Sequence, residues 1–229
     1  MRPMPGATEG MQVRLSRELI VDAYLRVVEE EGAEAATLRR LGAELGVDPT
    51  AVYRHVRDKE EILAAASDRL LAQAAEGYEP TGSWRADLRA LALRARGAYL
   101  NHPHALLALE TSPAALPNGF RLADLVIGCL REAGLPEDEV APAFEAIEGY
   151  VIGTALVDAR ASEETREEWR RAYTSLPRDR YPNLSAAASQ VYRDPDAAFL
   201  YGLELMLDAL EARAAGRSRA GRARPRDQV

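Results

Sequence analysis

The chain of 229 residues is 47% hydrophobic and 28% charged, which excludes a wholly disordered polypeptide and leaves room for one ordinary domain plus a small one. No stretch approaches the roughly 18 uninterrupted apolar residues of a membrane span, the first ten residues lack the apolar core of a secretion signal, and the single Cys129 excludes an internal disulfide, so a cytoplasmic protein with no membrane partner is expected. The formal net charge of -7 is unevenly spread: residues 1–60 carry nine Lys and Arg against eleven Asp and Glu, residues 217–229 five against one, and the acid surplus lies between. Residues 1–14, rich in Pro and Gly, are expected to be disordered. Ser16 is placed to cap a first helix, with Leu15 and Ile20 as a hydrophobic staple, and Leu19, Ile20, Ala23, Tyr24, Val27 and Val28 recur at helical spacing until Gly32. Thr37 caps a short second helix with Leu38, Leu41 and Leu45 on its apolar side; Gly46 ends it. Asp48 caps a third, with Pro49 at the first position, where a missing N–H costs nothing. A fourth helix starts at Asp58 and runs towards Gly77.

Gly77 to Gly82 reads as a connection into a second, larger helical unit. Further helices are expected near 83–101, 104–110, 117–133, 137–160, 162–175, 184–191 and 195–214, with no strand alternation anywhere. The fold class is therefore all-α: a three-helix helix-turn-helix unit over 15–65, a helical bundle over 66–215, and a disordered basic tail over 216–229. That tail either binds nucleic acid non-specifically or is simply a solvated end.

Two short capped helices joined by a tight Gly-Val turn form the arrangement in which the second helix enters the major groove of DNA. Leu41, Leu45, Val47, Val52 and Val56 are spaced to hold the pair against the first helix, which leaves Pro49, Thr50, Ala51, Tyr53 and Arg54 at the start of the reading helix. Thr37 offers a helix N-terminus to a phosphate, and Lys59, the only lysine, places a cation in the first turn of the fourth helix, where it opposes the macrodipole unless an anion is nearby. Alternatives stay open at four positions: Arg39 and Arg40 as readers or as charges that solvate a helix face, Tyr53 as groove contact or core aromatic, His55 as phosphate contact or buried histidine.

The runs Thr37-Leu38-Arg39-Arg40-Leu41, Leu45-Gly46-Val47-Asp48 and Thr50 through Lys59 resemble the signature of the TetR (tetracycline-repressor-like) family. A weaker likeness to the tetracycline-repressor branch covers Tyr150-Val151-Ile152-Gly153-Thr154 and Phe199 through Leu205. The resemblance implies a sequence-specific DNA-binding repressor, not an enzyme, released from a palindromic operator by a small-molecule effector. It places Arg39, Pro49, Thr50 and Ala51 near bases, and Thr37, Tyr53, His55 and Lys59 near phosphates. The planar fork of Arg39 suits guanine O6 and N7. A regulator lacking an effector is the alternative; the chain has no glycine-rich phosphate loop, Gly-x-Ser-x-Gly elbow or His-Glu-x-x-His run to support catalysis.

One small reading head offers too few contacts for operator affinity, so a homodimer holding two heads about 34 Å apart is expected. Its seam is assigned to Thr154 and Asp158 on one helix and Ala198, Tyr201, Gly202, Leu205 and Ala209 on the last. The stripe on that last helix could instead pack only inside its own subunit. The resemblance also implies an effector pocket, for which Leu106, Leu109, Phe120, Phe144, Ile147, Tyr150, Val151, Thr154 and Trp169 are the candidates, with Asn101, His102, His104, Glu110, Glu145, Glu148 and Asp158 as orienting polar groups. No cofactor or metal is expected, since His102 and His104 flank a proline and do not converge as residues i and i+4 would. The chain departs from the tetracycline repressors in placing Ala108 at a magnesium-binding histidine position and Val157 at that of a helical acid. Magnesium-tetracycline is thus not the expected effector, and an amphipathic or cationic compound is compatible with the pocket.

Overall fold

A computed structural model describes residues 14–102 and 117–222, the last six by their backbone alone, and among these every regular element is a helix. Four make up the N-terminal unit: α1 (Arg17–Glu31), α2 (Leu38–Glu44), α3 (Pro49–Tyr53) and α4 (Lys59–Ala75). Each starts at a side-chain cap. Ser16 accepts from the Leu19 amide at 3.3 Å, Thr37 from Arg40 at 3.1 Å, Asp48 from Thr50 at 2.8 Å and Asp58 from Glu61 at 2.8 Å, satisfying N–H groups that a helix start leaves without partners. Between α2 and α3 the chain turns through Gly46 at φ +65°, and α3 crosses so close to α2 that a Cβ on Gly42 would lie 3.1 Å from the Val47 carbonyl oxygen and 3.2 Å from Pro49 Cα. Ile20, Tyr24, Val27, Leu41, Val52, Ile62 and Leu70 are fully enclosed, and burying each side chain of this kind contributes about 1.5–3 kcal/mol.

The larger unit comprises α5 (Trp84–Asn101), α6 (Pro117–Glu132), α7 (Glu137–Arg160), α8 (Glu163–Thr174), α9 (Pro182–Ala187) and α10 (Pro195–Arg222). Helix α4 belongs to both units, because Leu70 enters the first core while its neighbour Leu71 enters the second. Two contacts clamp α4 to the larger unit. Arg94 of α5 donates to the Ala74 carbonyl at 2.6 Å and to that of Glu76, placing a cation on the negative end of α4. Asp68 of α4 accepts from the Asn118 amide and side chain, each at 2.7 Å, so it caps the start of α6. On the far side, Arg96, almost fully buried on α5, bridges Asp158 of α7 at 2.8 Å and Asp196 of α10 at 2.7 Å, and its guanidinium lies 4.6 Å from the Phe199 ring centroid. The connector is held by Asp87, which accepts from the Thr81 amide at 2.9 Å and the Thr81 hydroxyl at 2.8 Å.

Two expectations about elements change. The helix expected over 184–191 runs over Pro182–Ala187, because Pro182 fits a first helical turn and starts the element rather than interrupting the chain before it. The last helix continues to Arg222, so residues 216–222 are helical where a disordered tail was expected. Ala and Arg are strong helix formers, and extending an existing helix needs no new nucleus. The helix expected over 104–110 and the termini 1–13 and 223–229 lie outside the described residues. By length and composition α7 could cross a membrane, with a mean hydropathy of 1.3 over 18 residues, of which 22% are buried. Its apolar content serves two faces, an inner one with Ile147 and Val151 and an outer one where Val157 is 64% exposed.

Candidate functional site

The turn between α2 and α3 presents a compact polar surface. Arg39, Thr50, Arg54 and His55 are exposed and Tyr53 is 58% exposed, while Pro49 and Ala51 are half-buried at the start of α3. Tyr53 is therefore no core aromatic, and His55 is not buried. The Arg40 guanidinium is committed: it donates to Glu31 at 2.6 and 3.0 Å and to Glu44 at 3.0 Å, holding the Glu31 carboxyl below its usual pKa range. Arg39, one residue earlier and pointing elsewhere on the helix, has no such partner among the described residues. Thr50 donates its hydroxyl to Asp48 at 2.6 Å, which with the Thr50 amide depresses the Asp48 carboxyl and leaves the hydroxyl oxygen free to accept. Lys59 differs from the free cation expected: its ammonium donates to the Ala33 carbonyl at 2.6 Å, tying α4 to the turn after α1 and leaving two protons for another acceptor.

A cavity of about 320 Å3 opens in the larger unit. Leu71 of α4 lies at one wall. Helix α5 contributes Leu88, Leu91, Ala92, Ala95 and Tyr99; α6 contributes Gly119, Phe120, Leu122, Ala123 and Val126; α7 contributes Phe144, Ile147, Glu148, Val151 and Ile152. Of the expected lining, Phe120, Phe144, Ile147 and Val151 are present, as is Glu148 among the polar groups. Leu106, Leu109, His104 and Glu110 lie outside the described residues.

Three expected lining residues are elsewhere. Tyr150 turns to α10, stacking on Phe199 at 5.4 Å and donating to the Phe199 carbonyl at 2.9 Å. Thr154 donates back to the Tyr150 carbonyl at 2.7 Å, one turn earlier on α7. Trp169 is 52% exposed on α8, a helix with no buried residue, where it packs against Tyr173 and Tyr192. The reason is rotational: on α7 the cavity face runs through positions 144, 147, 148, 151 and 152, and 150 and 154 fall to its side. The residues missed on α4, α5 and α6 occupy ordinary apolar positions of amphipathic helices. Nothing in a sequence distinguishes a side chain that lines a void from one that fills it.

The expected seam is divided. Tyr201 is 70% exposed and Leu205 53%, with Ala198 and Ala209 also exposed on α10. Gly202 instead serves a contact within the chain, since a Cβ there would overlap the Tyr150 hydroxyl, and Asp158 is occupied by Arg96. The orienting role expected of His102 also shifts: its ring sits at the edge of the head, 3.9 Å from Glu29 of α1. Among the described residues no His, Cys, Asp and Glu side chains gather as a metal site.

Two family models match, that of the bacterial regulatory proteins of the tetR family over residues 20–66 and that of the tetracyclin repressor-like C-terminal domain over 76–214. The HTH-type transcriptional repressor DrrR1 of Streptomyces coeruleorubidus is 29% identical, covering 92% of this chain and 82% of its own. The tetracycline repressor protein class C of Escherichia coli is 32% identical, covering 86% and 91%. Among solved structures, the TetR family protein ActR of Streptomyces coelicolor in complex with actinorhodin superposes with a TM-score of 0.77 at 25% identity, over 87% of this chain and 97% of that one.

Proposed function

This chain belongs to the TetR family, a family of DNA-binding regulators and not enzymes, and we propose on that premise how its residues divide the work of an effector-released repressor. Arg39, Pro49, Thr50 and Ala51 face base edges, Arg39 reading a guanine, while Thr37, Tyr53, His55 and Lys59 contact phosphates. The observation that carries this reading is the contrast between neighbours: Arg40 is saturated by two carboxylates, whereas Arg39, like Thr50 and Tyr53, stands exposed. The chain acts in the cytoplasm as a homodimer on a palindromic operator, its seam formed by the exposed outer faces of α7 and α10 with Val157, Ala198, Tyr201, Leu205 and Ala209.

The cavity is assigned to the effector. ActR is known with actinorhodin bound, and a hollow of this volume falls in the range of small-molecule sites. A regulator with no effector has no use for it. Helix α4 is the lever. Its Leu71 lines the cavity, Asp68 grips the first turn of α6 beside the cavity residues Gly119 and Phe120, and Lys59 in its first turn is tied to Ala33 in the turn after α1. A ligand that shifts α6 therefore shifts α4 and changes the spacing of the two heads, so ligand and DNA weaken one another by the same factor.

The test is binding of the purified full-length protein to fragments flanking its own gene, followed by fluorescence anisotropy across a salt series. The reading predicts saturable retention of one fragment with a steep linear dependence of log affinity on log salt. Equal, weak binding to all fragments would contradict it.

A further inference from the structure

The effector cavity is apolar except at one place. Its described walls carry aliphatic side chains and the rings of Tyr99, Phe120 and Phe144, and Glu148 is the one ionisable residue there besides Tyr99; no Lys, Arg or His joins them. Some carboxylates elsewhere in the larger unit are matched with arginines: Asp158 and Asp196 with Arg96, Glu204 with Arg85 and Arg89. Glu148 has no such partner among the described residues; its side chain is exposed, and partial desolvation together with nearby Glu145 raises its pKa above the usual carboxylate value. A solvent-exposed carboxylate at the edge of an apolar hollow stays hydrated in the empty protein and offers a fixed negative charge to whatever enters. A ligand that buries its body in the hollow and leaves a positive charge beside Glu148 uses both, and the faces of Phe120 and Phe144 add to the attraction.

We propose that the effector is a lipophilic organic cation, a protonated amine or quaternary ammonium on an aromatic or fused-ring body, whose charged end is held by Glu148. This rests on the assignment of the cavity to the effector. An anionic ligand of the same shape meets an uncompensated carboxylate and, among the described residues, no side chain of opposite charge, so the site selects by sign as well as by size.

Three probes with one bicyclic body separate the two ideas: 2-naphthylethylammonium, 2-naphthylethanol and 2-naphthylacetate, titrated calorimetrically into the full-length protein. The cation is expected to bind about tenfold or more tighter than the anion, with the neutral alcohol between them. Glu148→Gln should collapse the gap between cation and alcohol while leaving the alcohol's affinity within about twofold, and Glu145→Gln, whose side chain does not line the cavity, should preserve the gap. An anion that binds as tightly as the cation, or a gap that survives Glu148→Gln, overturns the proposal. Ala95→Phe, which fills the hollow, tells which idea has failed. If it abolishes binding of an alcohol that the parent protein accepts, yet no charge preference is seen, the cavity assignment stands and the cation is wrong. If it leaves all three affinities unchanged, or if none of the probes binds the parent protein, the cavity assignment falls and takes the cation with it.

Discussion

The reading head and the effector unit use the same apolar side chains to opposite ends. In the head Leu41, Val52, Ile62 and Leu70 meet with nothing between them, and short capped helices around Gly42 leave no freedom of spacing. In the larger unit Leu88, Leu91 and Ile147 are just as buried, yet they surround a hollow of about 320 Å3. At roughly 24 cal/mol per Å3 of void, leaving that space unfilled forfeits at most on the order of 8 kcal/mol of packing. A filled core fixes the shape that has to fit a DNA groove. A hollow one keeps helices displaceable, so that binding energy from a ligand can be converted into movement.

The largest expected consequence is in stability. Leu41→Ala in the head should cost about 2–5 kcal/mol in urea unfolding, whereas Phe120→Ala, at the rim of the hollow and 64% exposed, should cost under about 1 kcal/mol. Equal losses would mean that the two cores do not differ as described. Enlarging a side chain reverses the comparison. Ala66→Leu, at a fully enclosed head position, should destabilise by about 1–3 kcal/mol, while Ala95→Phe should leave the melting temperature unchanged or raised and give a repressor that no effector releases.

The head was legible in the sequence because its signals are local. A cap and the amide it accepts from are two or three residues apart, as at Thr37, Asp48 and Asp58, and the glycine at the turn identifies itself by position. The cavity was half legible: positions on α7 follow from helical periodicity, but Leu71, Leu88 and Leu122 come together only through tertiary packing. Lys59 shows a third case, since its bond to the Ala33 carbonyl spans 26 residues and no spacing rule announces it.

Smaller effects concern the link between the two cores. Asp68→Ala removes the cap on α6 and should leave DNA and ligand each bound within a few-fold of normal, while reducing their mutual antagonism by about 0.5–2 kcal/mol. Binding of each in the presence and absence of the other measures this; undiminished coupling would relieve Asp68 of that role. The smallest effect is acid sensitivity at the connector. Burial pushes the Asp87 carboxyl up, but the hydrogen bonds from Thr81 outweigh it and hold its pKa below the usual value. Its contribution to stability is therefore present above the unfolded-state carboxylate pKa and lost as the pH falls through the depressed folded value. Asp87→Asn should flatten that acid limb of a stability curve, and an unaltered limb would assign the acid sensitivity elsewhere.

The division between Arg39 and Lys59 can be read from binding to a set of single-base variants of the operator. Arg39→Ala should cost about 1–3 kcal/mol and erase the preference at one base pair in each half-site, the two positions related by the operator's symmetry. Lys59→Ala should weaken all variants alike and reduce the salt slope by about one. If Arg39→Ala leaves every base preference intact, or if the two substitutions give the same profile, the α2–α3 surface does not read DNA in the way proposed.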